Sequence, residues 1–137
     1  MKFNVLILTV LLSIGLVSHA GKSRHVRPLL GAKNQQMIDK IAMPGYCEIE
    51  IINRSQNPIH VRGAYLDGGI LEPFDIYPYD SAHYISVYYY GCQSGMYLTI
   101  SDFLGYTVYS GYTPTYDTIF ISPAFGNNKP TVQIKAK

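Results

Sequence analysis

The chain has 137 residues, of which 15% are charged, and its formal net charge is +2. This length allows one domain behind a leader segment and leaves no room for a second domain. The near-neutral balance, with an acidic body between two basic ends, excludes the basic surface of a typical nucleic-acid-binding protein, so we expect no nucleic-acid partner.

The first 20 residues have the pattern of a secretory signal peptide. Lys2 gives a positive start, residues 5–17 are almost continuously apolar, and small residues precede a cleavage point near Ala20. This apolar run is shorter than the roughly 20 residues of a membrane-spanning helix, although a retained membrane anchor is the alternative. We predict a secreted or periplasmic protein whose mature chain begins near Gly21 and has no transmembrane segment.

Residues 21–45 are predicted to form a flexible arm with basic character. The arm has no apolar periodicity over residues 21–32 and contains five basic side chains against one acid. Residues 34–43 place four apolar side chains at helical spacing before Pro44-Gly45, so we expect a short helical segment there.

From Tyr46 onward the hydrophobic pattern changes to a period of two, which is typical of strands. About eight short segments with this pattern are separated by turn residues: 47–51, 59–65, 70–76, 84–90, 96–101, 106–112, 118–122 and 131–135. Regular strand spacing without long helical segments favours an antiparallel β-sandwich, immunoglobulin-like or related, over residues 46–137.

Cys47 and Cys92 are the two cysteines of the chain. In an oxidising compartment an even pair most simply forms one disulfide, and a loop of this length would stabilise the fold by about 4 kcal/mol. Free thiols or half of a metal site are the alternatives, but the chain lacks the ligand spacing of a zinc site. We predict a Cys47–Cys92 disulfide and neither a metal nor a cofactor.

Tyrosine is the compositional outlier, because all 13 tyrosines lie between Tyr46 and Tyr116. Alternation along residues 84–90 predicts that Tyr89 enters the core and that its neighbours face outward. If the next strand pairs as a hairpin, its outward residues join the same face. The candidate binding residues are therefore Tyr84, Tyr88, Tyr90, Tyr97 and Thr99. The alternative is that tyrosine only supports strand pairing.

Enzyme chemistry has little support in the sequence. Asp80, Ser81 and His83 include the residue types of a nucleophilic triad but lie within one short segment, where adjacent side chains point apart. Glu48 and Glu50 share a strand face, which we expect to be solvated. We therefore predict that the protein is not an enzyme.

Residues Asn53-Arg54-Ser55 match the N-glycosylation sequon. Their position between two predicted strands fits either a glycan acceptor in a glycosylating host or a plain hairpin loop.

These observations predict a non-enzymatic binding domain that recognises a protein or a glycan at a cell surface through a Tyr-rich sheet face. The alternative is a structural protein of the cell envelope or extracellular matrix that self-associates through strand edges or through the same tyrosines.

Overall fold

The computed structural model describes residues 23–27, 43, 45–123 and 130–137. All regular structure in these residues is β, and no helix among them is long and apolar enough to cross a membrane. The strands are β1 (Ser23–His25), β2 (Glu48–Asn53), β3 (Ile59–Tyr65), β4 (Ile70–Ile76), β5 (His83–Ser86), β6 (Gly95–Asp102), β7 (Thr107–Pro114), β8 (Thr118–Ser122) and β9 (Thr131–Lys135).

The strands form two sheets that pack face to face. One sheet has five strands in the order β1-β5-β2-β8-β9, and the other has four in the order β4-β3-β6-β7. This arrangement confirms the predicted all-β sandwich. The pairing is mostly antiparallel, but β1–β5 and β2–β8 are parallel pairs, which the sequence pattern did not indicate. The immunoglobulin-like subtype stays a prediction.

Alternation along the strands builds the core between the sheets. Ile49 and Ile51 of β2 are fully buried, as are Met96 and Ile100 of β6. The alternate residues Glu50, Tyr97 and Thr99 point away from the opposite sheet, because successive strand residues face opposite sides. Gly63 of β3 lies beside a bulge, where a Cβ atom would come 2.6 Å from the Tyr97 carbonyl oxygen. A larger residue there would push β3 and β6 apart.

The beginning of the predicted arm differs from expectation. Ser23–His25 form β1, which pairs in parallel with β5 and extends the five-stranded sheet. These residues show no strand pattern of their own, because the strand forms by pairing with β5, which lies far along the chain. The predicted signal peptide (residues 1–20) lies outside the described residues, as does the helical segment at residues 34–43 apart from Met43.

Asn53 of the predicted sequon is 3% exposed at the end of β2. Its side-chain nitrogen donates to the carbonyl oxygens of Asn57 and Ile76, both at 2.9 Å. Its side-chain oxygen accepts hydrogen bonds from Ser55, from the backbone N–H at 2.9 Å and from the hydroxyl at 2.6 Å. In the folded domain Asn53 is therefore a structural side chain that holds the β2–β3 turn, and it offers no accessible acceptor for a glycan.

The predicted disulfide is confirmed. Cys47 directly precedes β2 and Cys92 lies in the loop between β5 and β6, with Cα atoms 5.5 Å apart and a sequence separation of 45. The Cys47 end is fully buried, whereas Cys92 lies at the surface. A disulfide in a domain of this size is consistent with an extracellular location.

Reducing this bond is expected to destabilise the domain, because the unfolded chain regains the entropy of a 45-residue loop. The expected loss is about 4 kcal/mol, which corresponds to a fall in Tm of roughly 10–20 °C. Thermal unfolding with and without a phosphine reductant measures it, with thiol content checked by mass spectrometry. An unchanged Tm in fully reduced protein would contradict the prediction.

Candidate functional site

The predicted tyrosine face is divided between the two sheets. Tyr84 lies on β5 of the five-stranded sheet, whereas Tyr97 and Thr99 lie on β6 of the four-stranded sheet. Although β5 and β6 are consecutive strands, the loop between them crosses from one sheet to the other. The expected hairpin between these strands does not form. The prediction of a single tyrosine face across both strands, which depended on that hairpin, is therefore wrong.

Strand alternation also stops earlier than predicted. β5 ends at Ser86, and Tyr88 is only 8% exposed within the core, so its assignment to an outer face is wrong. Tyr90 is exposed, but it occupies a loop with a φ of 52°. Tyr89 is half-buried beneath an arginine instead of entering the core. The cause is a tight turn closed by the Tyr88–Cys92 bridge, where the period of two no longer applies.

Two tyrosine rings meet on the outer side of the four-stranded sheet. Tyr97 of β6 lies directly opposite Tyr112 of β7, with ring centroids 5.6 Å apart and planes inclined by 65°. The rings remain 57% and 41% exposed. The Tyr112 hydroxyl donates to Ser94 Oγ at 2.9 Å, which fixes its ring over Gly95. This edge-to-face pair is a rigid, accessible aromatic surface.

A pair of hydroxyls and one arginine continue this surface along the sheet. Thr99 Oγ1 and Ser110 Oγ are 3.2 Å apart on the next outward position, and Arg62 of β3 lies opposite Thr99 on the other side. Arg62 is exposed and takes part in no ion pair within the described part of the chain. We call this set the Tyr97–Tyr112 face, made of Arg62, Tyr97, Thr99, Ser110 and Tyr112.

The face leads into a shallow groove of about 570 Å³ at the far end of the same sheet. Arg62 is shared between the two, and Tyr77 and Phe103 stand exposed at the groove's end. On the groove floor His60 Nδ1 lies 2.7 Å from Asp75 Oδ1. The outer side of the four-stranded sheet therefore offers one elongated surface with aromatic side chains at both ends and polar groups between them.

Sequence reasoning found Tyr97 and Thr99 but missed Arg62, Ser110 and Tyr112. These three side chains face the same side only because β3 and β7 flank β6 in a particular register. Period-two alternation within residues 106–112 carries a partial signal, since Ser110 and Tyr112 share one side of their strand. Which neighbour they pair with depends on sheet order, which the sequence does not reveal.

Tyr84 belongs to a separate polar network around Glu50. Its hydroxyl donates to Glu50 Oε1 at 3.1 Å, Thr118 Oγ1 donates to Oε2 at 2.8 Å, and Lys137 Nζ lies 2.9 Å from Oε2. Burial alone would raise the pKa of Glu50, but the hydrogen bonds from Lys137, Thr118 and Tyr84 lower it below its usual range. Burial and the bond to Glu50 raise the pKa of Tyr84.

Glu48 is 4% exposed and is paired with Arg24, so the expectation of a solvated Glu48–Glu50 face is wrong. Each carboxylate has its own cation, because Lys137 pairs with Glu50. This arrangement is typical of structural ion pairs.

The residues of the considered triad do not form one. His83 Nε2 is 3.7 Å from Asp80 Oδ2, which is longer than a hydrogen bond. Ser81 is exposed, whereas His83 is buried. Residues 23–27, 43, 45–123 and 130–137 contain no group of three or more histidine, cysteine or acidic side chains able to hold a metal ion. The absence of enzymatic activity stays a prediction.

His83 instead belongs to a stack of three rings where β1 meets the body of the domain. His25 of β1 lies parallel to Phe74, with ring centroids 3.3 Å apart, and its Nε2 is 2.9 Å from His83 Nδ1. Burial, together with the neighbouring His83, lowers the pKa of His25 to about 4. Burial also lowers the pKa of His83, against the opposite effect of Asp80.

Comparisons of the chain with protein-family models, with curated proteins and with solved structures gave no match. What the domain does is therefore inferred from the contacts of its own side chains.

Stability is expected to fall in mild acid because of His25. The unfolded chain binds a proton at His25 near pH 6.5, whereas the folded chain does so only near pH 4. Below pH 6.5 the unfolded state therefore gains protons that the folded state excludes. As far as it depends on His25, the free energy of unfolding is at its highest above pH 6.5. It decreases as the pH falls to about 4 and then levels off.

Urea unfolding at several pH values between 7 and 4 measures this decline. The variant His25→Gln keeps a polar side chain beside His83 but removes the titrating ring, so its stability should depend less on pH. Tyr79→Ser, an exposed position in the loop between β4 and β5, is the control and should follow the parent chain. An equally steep decline in His25→Gln would contradict the assignment.

Proposed function

We propose that this chain is an exported, non-enzymatic binding domain that recognises a glycan through the Tyr97–Tyr112 face. The observation that carries the proposal is the exposed, edge-to-face ring pair of Tyr97 and Tyr112, held in place by cross-strand register and by the bond from Tyr112 to Ser94. Rings fixed in advance contribute contact area at little entropic cost on binding.

The chemistry of the face favours a glycan over a protein segment. A sugar ring presents one apolar side, which can lie on an exposed aromatic ring, and a rim of hydroxyls that need hydrogen-bonding partners. Tyr97 supplies the ring, and the adjacent Thr99 and Ser110 supply hydroxyls that both donate and accept. Arg62, opposite Thr99, adds several N–H donors.

The elongated shape supports recognition of a chain over a single sugar. The Tyr97–Tyr112 face and the groove share Arg62, and aromatic side chains stand at both ends. A ligand lying along β6 from Tyr97 to Phe103 would contact both regions, a distance of roughly 20 Å along the strand and the turn that follows it. This geometry supports an extended oligosaccharide at a cell surface.

Export is part of the proposal. It is supported by the signal-peptide pattern of residues 1–20 and by the Cys47–Cys92 disulfide. A secreted or periplasmic domain would meet the polysaccharides of a cell envelope or of a host surface.

The test is a glycan array probed with labelled mature protein, followed by titration calorimetry with the oligosaccharide that gives the strongest signal. Replacing both rings, in Tyr97→Ser with Tyr112→Ser, is expected to weaken binding at least tenfold, a loss of about 1.4 kcal/mol. Thr99→Val should give a smaller loss, because only one hydroxyl disappears.

Tyr79→Ser is the matched control, since Tyr79 is 96% exposed in the loop between β4 and β5 and lies outside the face. It should bind like the parent chain. Equal binding by the double tyrosine variant, in protein shown to be folded, would refute the site. No glycan binding combined with capture of a protein partner would refute the ligand class.

A further inference from the structure

Residues Ser23–Arg27, which we call the N-terminal segment, lie against the body of the domain, where their two arginines meet acidic side chains. The segment lies along β5, and only Ser23–His25 pair with it as a strand. Three side chains, Arg24, His25 and Arg27, each occupy a separate contact site on the body of the domain. We call these sites and the adjoining β5 backbone the segment groove.

The first contact site holds Arg24 against a buried acid. The Arg24 guanidinium pairs with Glu48, which is 4% exposed, and also donates to the Met43 carbonyl oxygen at 2.7 Å. The second Glu48 oxygen accepts the Gly45 N–H at 2.8 Å. A buried carboxylate is strongly disfavoured without a cation, so this site selects a positive side chain.

The second contact site holds His25 between aromatic and polar partners. The ring lies flat on Phe74 of β4 and makes a hydrogen bond to His83 of β5. A planar side chain with a ring nitrogen satisfies both partners at once. An aliphatic residue at this position would leave the His83 ring nitrogen without its 2.9 Å partner.

The third contact site holds Arg27 in the turn between β3 and β4. One guanidinium nitrogen lies 2.7 and 2.6 Å from the two oxygens of Asp67, and the group stacks 4.0 Å from the centre of the Tyr89 ring. Gly69 makes room for it, because a Cβ atom there would come within 2.5 Å of the guanidinium. Arg27 holds the pKa of Asp67 below its usual range.

Taken together, the groove recognises the sequence Arg-His-x-Arg. Recognition is mainly through side chains, because only three residues of the segment pair with β5. β1 and β5 run parallel, and parallel strands need a long connection instead of a tight turn. Along the sequence the segment is separated from β2, the next strand, by residues 28–47.

We propose that the N-terminal segment and the segment groove form a self-recognition pair that exchanges between two copies of this chain. The same contacts form whether the segment comes from its own domain or from a neighbour. Residues 28–42 number 15, and a fully extended chain of that length would span up to about 50 Å. Exchange of an element between identical chains is a low-cost route to association, because it creates no new interface.

A second copy is an occupant whose side chains fit all three contact sites. All three contact sites match side chains that every copy carries, and the charges are complementary, with Glu48 and Asp67 in the groove facing Arg24 and Arg27 in the segment. This inference is independent of the proposed glycan recognition, because the groove adjoins the five-stranded sheet and contains no residue of the Tyr97–Tyr112 face.

The test uses two full-length mature variants that cannot satisfy the contacts within one chain. The segment variant Arg24→Ala with Arg27→Ala has an intact groove but no matching ligand. The groove variant Glu48→Gln with Asp67→Asn has an intact segment but a groove without its two acids. We expect each variant alone to remain monomeric in sizing with light scattering, whereas an equal mixture forms a heterodimer. A mixture that stays monomeric, with both variants folded, would overturn the proposal.

A peptide experiment remains valid even if the groove variant fails to fold. A fluorescent peptide of residues 21–32 should bind the segment variant, with an anisotropy change that is lost when Arg24 and Arg27 of the peptide become alanine. The control protein carries Arg54→Ala and Arg62→Ala, so it also lacks two arginines but keeps its own N-terminal segment in the groove. The peptide should therefore bind this control at least tenfold more weakly than it binds the segment variant. Equal binding to both proteins would overturn the groove as the site. Peptide binding without association of the mixed variants would restrict the segment to its own domain and overturn exchange.

Discussion

The covalent link between Cys47 and Cys92 is the constraint on which one whole end of the domain depends. It holds the start of β2 against the loop that carries the chain from one sheet to the other. The Cys47 carbonyl oxygen accepts the Val87 N–H at 2.9 Å, and the neighbouring Glu48 carbonyl oxygen accepts the Tyr116 N–H at 2.8 Å. The loops at this end are therefore fixed relative to one another. The buried Glu48 carboxylate, which holds the N-terminal segment, directly follows the linked cysteine.

Much of the fold could be predicted because it depends on local patterns. The strands follow from alternation, and the disulfide follows from the number of cysteines and the expected compartment. The course of residues 87–92 could not be predicted, since the turn there is set by Cys92 being tied to a residue 45 positions away. One break in the period moved Tyr88 into the core and left Tyr90 in an exposed loop.

The candidate site was harder to predict for a related reason. Tyr97 was found from its own strand, but its partner Tyr112 follows only from the order of strands in the sheet. The N-terminal segment gave an even weaker signal. Its two arginines look like a solvated basic arm until they are placed beside Glu48 and Asp67. In these two ion pairs, basic residues from the start of the sequence bind acidic residues of its body.

Asn53 has a consequence for how the protein can be produced. A eukaryotic secretory pathway attaches glycans to sequons while the chain is still emerging, before β2 and β3 have met. A sugar on Asn53 would replace one of the two side-chain N–H groups that donate to the Asn57 and Ile76 carbonyl oxygens inside the fold. Modification and folding would then compete for the same atom, and modified chains would accumulate as misfolded material. Bacterial export avoids that competition through the choice of host, and replacing Ser55 avoids it by removing the sequon.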